Sequence, residues 1–316
     1  MKIKLSSIVK TIGLIIFIII FLNIDYKKFI SILSTININY LLTGFALIIL
    51  LIIIKSYRWL LIIKSLKLKN ISFFKCFYLY NIGIYFGNLT PGKLGELLKA
   101  MYINNKENSI IKSFISTIID RLYDLFTLII IGYISLFFIS KFFKEYVNFL
   151  TIIIIMSIII VVILTFLWKK ILRFIYRFII PKKIKNKSKD IYMELICSIK
   201  SIKPIDYINQ FALTFISWII YFTLIYFIAL SINVDISYYY LAASISITSL
   251  ITLIPISFNG LGTRDATLLI LFSQIGISKE TTIAFSLLIF IINLIMGIPG
   301  LILFLIKPIR KHIAHN

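Results

Sequence analysis

Acidic residues are scarce in this sequence, and so are charges of either sign. The chain has 12 Asp and Glu against 34 Lys and Arg, and only 15% of its 316 residues are charged while 60% are apolar. A water-soluble fold of this length would need far more polar surface. Apolar runs such as residues 41–54 and 283–306 approach the roughly 20 residues that a helix needs to cross hydrocarbon. The sequence therefore predicts an all-α polytopic membrane protein.

Cysteine and histidine are also scarce. Cys76 and Cys197 both fall on or near the predicted cytoplasmic side of the membrane, where thiols stay reduced. His312 and His315, the two histidines, lie together near the C-terminus. We therefore expect no disulfide, no metal site and no cofactor.

The net charge of +22 is placed in the short segments between apolar stretches, where it reports membrane topology rather than nucleic-acid binding. The positive-inside rule puts most Lys and Arg on one side, with both termini cytoplasmic in the inner membrane of a prokaryotic cell. The longest polar segment, at about 169–207, is predicted to be a basic cytoplasmic loop. Its start either lies on an anionic membrane surface or carries charge that topology alone explains.

Six full spans are predicted within one transmembrane domain covering residues 1–316. The N-terminal apolar stretch lacks a small-residue cleavage site and is interpreted as a retained first helix. The predicted spans lie at about 11–24, 40–63, 113–139, 149–168, 208–231 and 281–306.

Two further apolar stretches are broken, which brings the count to eight hydrophobic segments. The first runs over about 74–89 and restarts at 93–103; the second runs over about 238–256 and restarts at 263–274. The restarted pieces are too short to span, so we expect two re-entrant hairpins that face opposite ways, as in transporters. Ordinary kinked helices are the alternative. The residues that mark the breaks are Thr90, Pro91, Gly92, Gly95, Asn259, Gly260, Gly262 and Thr263.

Charged residues at membrane depth are the candidate site, because charge in hydrocarbon is costly and marks function. Asp120 and Asp124 share a helix face and need a cation, which Arg121, Arg264, a lysine of the first hairpin or a substrate could supply. A purely structural salt-bridge network is the alternative. The candidate substrate-binding residues are Lys93, Glu96, Lys99, Asp120, Arg121, Asp124, Arg264 and Asp265.

Three further expectations concern the same region. Lys55 and Arg58 lie near the end of the second span, where long basic side chains either snorkel to the surface or belong with the functional charges at membrane depth. Thr90 and Thr263 are expected to cap the two short helices with their hydroxyl groups. Both helix N-termini would then point toward the middle of the membrane, where a phosphate could bind.

Three motifs carry a resemblance to a known family: PGKLGELLKA at 91–100, DRLYDLFTL at 120–128 and PISFNGLGTRDATL at 255–268. In order and spacing they look like the characteristic segments of the lysylphosphatidylglycerol synthase transmembrane family, also called flippase-like. That family has Pro-Gly-x-x-Gly-Glu followed by a basic residue, then Glu-Arg-x-x-Asp, then Gly-x-Gly-x-Arg-Glu. Here Asp120 and Asp265 stand where Glu is usual, and Lys99 where Arg is common. Charge is kept in each case.

The resemblance implies lipid translocation, in which an aminoacylated phospholipid such as lysylphosphatidylglycerol, or another modified or lipid-linked substrate, moves between leaflets. In the full-length synthases a separate soluble domain aminoacylates the lipid. This chain ends at residues 307–316 after its last predicted span, so we expect it to lack transferase activity. Two alternatives stay open: a lipid-modifying transferase of the phosphatidylglycerol lysyltransferase type, and an accessory subunit of a separately encoded synthase or glycosyltransferase.

Overall fold

The computed structural model describes residues 5–103, 108–139, 155, 202–254 and 257–306. Within these residues the chain forms nine α-helices, one 3-10 helix and no strand, which confirms the predicted all-α class for this part of the chain. The elements are α1 (Leu5–Leu22), α2 (Tyr26–Ser34), α3 (Ile38–Ser65), α4 (Phe73–Asn88), the 3-10 helix (Pro91–Tyr102), α5 (Ile110–Ile139), α6 (Pro204–Ser231), α7 (Tyr238–Thr252), α8 (Thr263–Ser273) and α9 (Lys279–Ile306).

Among the described residues, three helices are long and apolar enough to cross a membrane: α3, α6 and α9, each of 28 residues. At 1.5 Å per residue such a helix measures about 42 Å, more than the roughly 30 Å of hydrocarbon in a bilayer. Helices α1 and α5 coincide with two more of the predicted spans. The span predicted at 149–168 and the basic loop at 169–207 fall outside the described residues, apart from Ile155 and the end of the loop, where α6 begins.

Helix α2 was not expected from the sequence. Asp25 caps its start, because the Oδ1 atom accepts hydrogen bonds from the backbone amides of Lys27 (3.0 Å) and Lys28 (3.3 Å). Phe29 is buried and anchors the helix against its neighbours. A helix of 9 residues is too short to produce the long apolar run by which the spans were recognised.

The first broken stretch is an antiparallel pair formed by α4 and the 3-10 helix. Gly95 lies so close to α4 that an added Cβ would overlap the carbonyl oxygen of Phe86. Further along, Gly83 leaves room for the side chain of Lys99, whose Cδ would be 3.1 Å from an added Cβ. Residue numbers thus rise along one segment while they fall along the other. The break falls where the sequence predicted it.

The turn of this pair has an unusual backbone. Gly92 and Lys93 both adopt left-handed conformations, with φ of 61° and 56°. Thr90 precedes the 3-10 helix, but its Oγ1 atom accepts from the Gly95 amide (2.6 Å) and donates to the Phe86 carbonyl (2.9 Å). The expected bond to a first-turn amide is therefore wrong, because the left-handed residues turn those amides away from the hydroxyl.

The second broken stretch consists of α7 and α8, separated by a turn in which Gly260 and Gly262 have φ of 80° and 81°. The expectation that Thr263 caps α8 is also wrong. Gly262 occupies the capping position, and its amide donates to Asp265 Oδ2 at 2.6 Å. Thr263 is already helical, and its hydroxyl shares a hydrogen bond of 2.7 Å with Ser257.

The helices pack so that both breaks lie inside the bundle. The most extensive contacts join α3 to α6, α4 to α9 and α4 to the 3-10 helix, followed by α5 to α7. Glycine allows two close approaches between these elements. Helix α9 approaches α4 at Gly300, where an added Cβ would overlap the Asn81 carbonyl oxygen. The second break approaches α1 at Gly262, where an added Cβ would overlap the Gly13 carbonyl oxygen. The breaks are therefore enclosed by α9 on one side and α1 on the other.

Candidate functional site

A cavity of about 460 Å³ lies between the two helix breaks. All three long apolar helices line it, and the turns of both broken pairs reach it. The first break contributes Gly92 and Lys93, and the second contributes Asn259, Gly260 and Arg264. Two segments that are far apart in the sequence thus meet at one enclosed space within the helical bundle.

Six charged side chains of the described residues line this cavity. Four are basic and two are acidic, so the lining carries more positive than negative charge. The basic residues are Lys55, Lys93, Arg121 and Arg264, and the acidic residues are Glu96 and Asp124. A positively charged enclosure of this kind favours an anionic group over a neutral one.

Arg121 and Glu96 form an ion pair across the cavity wall, joining α5 to the 3-10 helix. The side chain of Arg121 is 28% exposed, whereas that of Glu96 is 7% exposed. Arg121 follows Asp120 by one position and points about 100° away from it, as expected on a helix. The two residues therefore belong to different environments, one in the cavity and one behind it.

The side chain of Arg264 is held by hydrogen bonds to the second break and to α9. Its Nε atom donates to Ser286 Oγ of α9 (2.7 Å), and one terminal nitrogen donates to the Asn259 carbonyl (3.3 Å). The other terminal nitrogen lies 3.6 Å from Asp265 Oδ1 and makes no hydrogen bond with the described residues. The hydroxyl of Ser286 in turn donates to Asp265.

A second charge cluster, which we call the inner network, lies behind the cavity and centres on Arg58 of α3. Arg58 donates to Asp120 Oδ1 from Nη2 (2.6 Å) and Nε (3.0 Å), and to Asp124 Oδ1 from Nη1 (2.7 Å). Lys99 reaches Asp120 Oδ2 at 2.8 Å, and Lys55 reaches Asp124 Oδ2 at 3.4 Å. The side chains of Arg58, Asp120 and Lys99 are fully buried. Each of these charges needs the others, because an unpaired buried charge is strongly destabilising.

Lys99 is also enclosed by aromatic rings. Its Nζ atom lies 3.9 Å from the ring centroid of Tyr80 and 4.4 Å from that of Trp59. Cation–π contacts of this kind are worth more when the ammonium group is removed from water. Lys99 is therefore fixed in place by one carboxylate and two rings.

The structure brings together five of the predicted site residues in the cavity: Lys93, Glu96, Arg121, Asp124 and Arg264. Asp120, Lys99 and Asp265 do not line it. Of the cations proposed for the aspartate pair, a lysine of the first broken stretch does bind Asp120, whereas Arg121 and Arg264 form pairs elsewhere. Their roles in substrate binding stay predictions.

Arg58 and Lys55 are candidates that the sequence analysis left out of the predicted site, because snorkelling could explain them. Snorkelling is wrong for Arg58, whose side chain is fully buried. The signal was present, because the two basic residues are three apart on α3 and so share a face, as the two aspartates do on α5. Two helices with matching pairs of opposite charge are expected to face each other.

The cavity lining also contains several buried hydrogen-bonding atoms without hydrogen-bond partners among the described residues. They belong to Tyr80 (Oη), Glu96 (Oε2), Arg121 (Nε), Trp218 (Nε1), Asn259 (Nδ2) and Arg264 (Nη2). Five of these six atoms can donate a hydrogen bond, and the sixth, Glu96 Oε2, is an acceptor that lies in the ion pair with Arg121. Because buried polar groups are normally paired, the five donors are chemically suited to a ligand with acceptor oxygens. No group of three His, Cys, Asp or Glu suited to a metal occurs in the described part of the chain.

The apolar helices and the charged cavity together define an integral membrane protein. A family model described as the lysylphosphatidylglycerol synthase TM region matches residues 5–300, and the chain belongs to that family. The resemblance in the three motifs is thereby confirmed.

Two relatives from Methanocaldococcus jannaschii are similar to this chain. The UPF0104 membrane protein MJ1595 is 29% identical over 310 residues, which cover 91% of each chain. The UPF0104 membrane protein MJ1078 is 29% identical over 191 residues, which cover 59% of this chain and 78% of the relative. No solved structure matches the chain.

Proposed function

We propose that this protein translocates lipids, taking a phospholipid headgroup into the cavity and passing it between the two leaflets. The observation that carries the proposal is the cavity, which is lined by residues of all three long apolar helices and holds charges from both breaks. Charges at such depth mark substrate pathways in membrane proteins. Membership of the lysylphosphatidylglycerol synthase TM family supports the same function.

The proposal includes a topology in which the two broken pairs are re-entrant hairpins that open to opposite sides. The 3-10 helix of 12 residues and α8 of 11 residues support it, because they measure about 24 Å and about 16 Å and are too short to span hydrocarbon. Six full spans would accompany them, with both termini in the cytoplasm of a prokaryotic cell. Opposed broken helices that meet at a central site are the arrangement found in many transporters.

The phosphate group of the lipid is assigned to the side of the cavity near Arg264. One terminal nitrogen of Arg264 and the side-chain amide nitrogen of Asn259 have no hydrogen-bond acceptor among the described residues, and phosphate oxygens would accept from both. Glu96 keeps Arg121 oriented in the same cavity. The acyl chains would stay in the bilayer while the headgroup crosses through the protein.

Leaflet exchange of labelled phospholipids in liposomes tests this function. Arg264→Ala removes a phosphate-binding group but leaves Asp265 bonded to the Gly262 amide and to Ser286. Glu96→Gln removes the ion pair with Arg121. We expect each variant to slow exchange by about tenfold or more, since a lost hydrogen bond to a charged group is worth roughly 1.5–3 kcal/mol.

Lys67→Ala is the matched control, because it removes a basic residue that is exposed and lies outside the cavity. The variants are compared as folded protein, judged by size-exclusion chromatography and thermal unfolding in detergent. Exchange at the wild-type rate in both cavity variants would contradict the site, and no exchange by the folded wild type would contradict the function.

A further inference from the structure

The two carboxylates that line the cavity are already engaged by basic side chains. Glu96 forms its ion pair with Arg121, and Asp124 is shared between Arg58 at 2.7 Å and Lys55 at 3.4 Å. A cationic headgroup would have to displace one of these partners before it could bind a carboxylate. The described lining thus offers no free acid to an ammonium group.

Of the four basic residues that line the described cavity, Lys55, Arg121 and Arg264 each have an acidic partner, whereas Lys93 is in the opposite situation. Lys93 lines the cavity and makes no ion pair or side-chain hydrogen bond with the described part of the chain. One terminal nitrogen of Arg264 and the Nε atom of Arg121 are buried and have no hydrogen-bond acceptor there. The cavity therefore offers the Lys93 charge and several hydrogen-bond donors to a ligand, whereas both of its carboxylates are paired.

Lys93 occupies an unusual backbone position. Its φ of 56° lies in the left-handed region that side chains other than Gly, Asn and Asp rarely adopt. Gly92 before it has the same conformation, which makes the turn into the 3-10 helix. Strained residues that persist cluster at ligand sites. A lysine held in this conformation, with its side chain at the cavity and no partner, is suited to meet a ligand.

We infer that the cavity selects an anionic phosphodiester headgroup over an aminoacylated, cationic one, and that Lys93 sets this preference. The inference rests on the proposed function, since it takes the cavity to be the place where the lipid headgroup binds. A phosphatidylglycerol-type headgroup brings one negative charge and several acceptor oxygens to the free donors. A lysyl ester adds two ammonium groups, for which no uncommitted carboxylate lines the described cavity.

Binding measured in detergent tests the preference without requiring transport. Native mass spectrometry of the full chain would compare phosphatidylglycerol with lysylphosphatidylglycerol, with inorganic phosphate as a competitor. We expect phosphatidylglycerol to bind about tenfold more tightly. Inorganic phosphate in millimolar excess is expected not to displace it, because a lipid site also uses the apolar lining. Displacement by phosphate would overturn the lipid assignment.

The variant Lys93→Gly removes the charge and suits the left-handed backbone, so it is expected to fold. Lys67→Gly is its matched control, because Lys67 has φ of 55° but is exposed and outside the cavity. We expect the preference to fall to about threefold or less in Lys93→Gly and to stay unchanged in Lys67→Gly. An equal change of the headgroup preference in the two variants would contradict the assignment of this preference to Lys93.

The two proposals can fail separately. Selective binding of phosphatidylglycerol without leaflet exchange would contradict the proposed function and leave the headgroup inference standing. Leaflet exchange combined with equal or tighter binding of lysylphosphatidylglycerol would overturn the inference and leave translocation standing.

Discussion

The two helix breaks contain similar residues but connect them differently. At the first break, Glu96 and Lys99 both pair with residues of α5, and Lys99 is linked through Asp120 to Arg58 of α3. At the second break, Arg264 and Asp265 pair with each other. Their shared partner outside the break is Ser286 of α9.

This difference assigns the two breaks different roles in stability. Charges at the first break are tied to the inner network, where a change at one residue leaves several buried charges without a partner. The second break forms a local unit, in which the Gly262 amide and Ser286 satisfy Asp265. The first break is thus a structural junction of three elements, and the second is a compact turn held against α1 and α9.

The largest contrast in stability is expected between neutralising Asp120 of α5, which pairs with Lys99 of the first break, and neutralising Asp265 of the second break. Asp120→Asn is expected to lower the free energy of unfolding by about 3–5 kcal/mol, because Arg58 and Lys99 lose a buried counter-ion. Asp265→Asn is expected to cost less, about 1–3 kcal/mol, because Arg264 loses a counter-ion that lies 3.6 Å away while the amide oxygen still accepts from the Gly262 amide. Reversible unfolding in detergent measures both.

Asp235→Asn is the control for this pair, since Asp235 is exposed and should show no measurable change. Equal losses for Asp120→Asn and Asp265→Asn would mean that the inner network does not dominate the stability of this region.

Two glycines with similar positive φ can show how strongly the second break depends on α1. Gly262 and Gly276 have φ of 81° and 77°, but an added Cβ at Gly262 would overlap the Gly13 carbonyl oxygen while nothing lies within 4 Å of one at Gly276. Gly276→Ala is expected to cost about 1 kcal/mol for the left-handed backbone alone. Gly262→Ala should cost roughly 1–3 kcal/mol more, because α1 has to move.

Thermal unfolding of both variants in the same detergent checks this expectation. If their unfolding temperatures fall by the same amount, the close contact between α1 and the second break makes no contribution to stability.

A smaller effect than at Asp120 is expected for the hydroxyl that joins Arg264 and Asp265. Ser286→Ala removes the acceptor for Arg264 Nε and the donor to Asp265, at a cost of about 1.5–3 kcal/mol, because both hydrogen bonds involve charged groups. Ser273→Ala is the control, because Ser273 is exposed and its hydroxyl bonds only within α8. A loss for Ser286→Ala as large as for Asp120→Asn would show that the second break is no more independent than the first.

The position of both helix breaks could be predicted because the local signals are strong. Proline and glycine interrupt apolar runs at Pro91 and at Gly260 to Gly262, and the chain turns at these places. The hydrogen bonds within the turns were not predictable in the same way. Thr90 and Thr263 fit the capping pattern by residue type, but the left-handed residues beside them changed which amides their hydroxyls could reach.

Composition and apolar periodicity were sufficient to establish a helical membrane protein with charged residues inside it, because both properties depend on local sequence. Which charges pair was decided by tertiary structure. Arg58 and Asp120 are 62 positions apart, and only the packing of α3 against α5 brings them together. The same holds for the cavity, where Lys93 and Arg264 share one space. A sequence shows that buried charges need partners, whereas the assignment of each partner depends on helix packing over distances that no local pattern encodes.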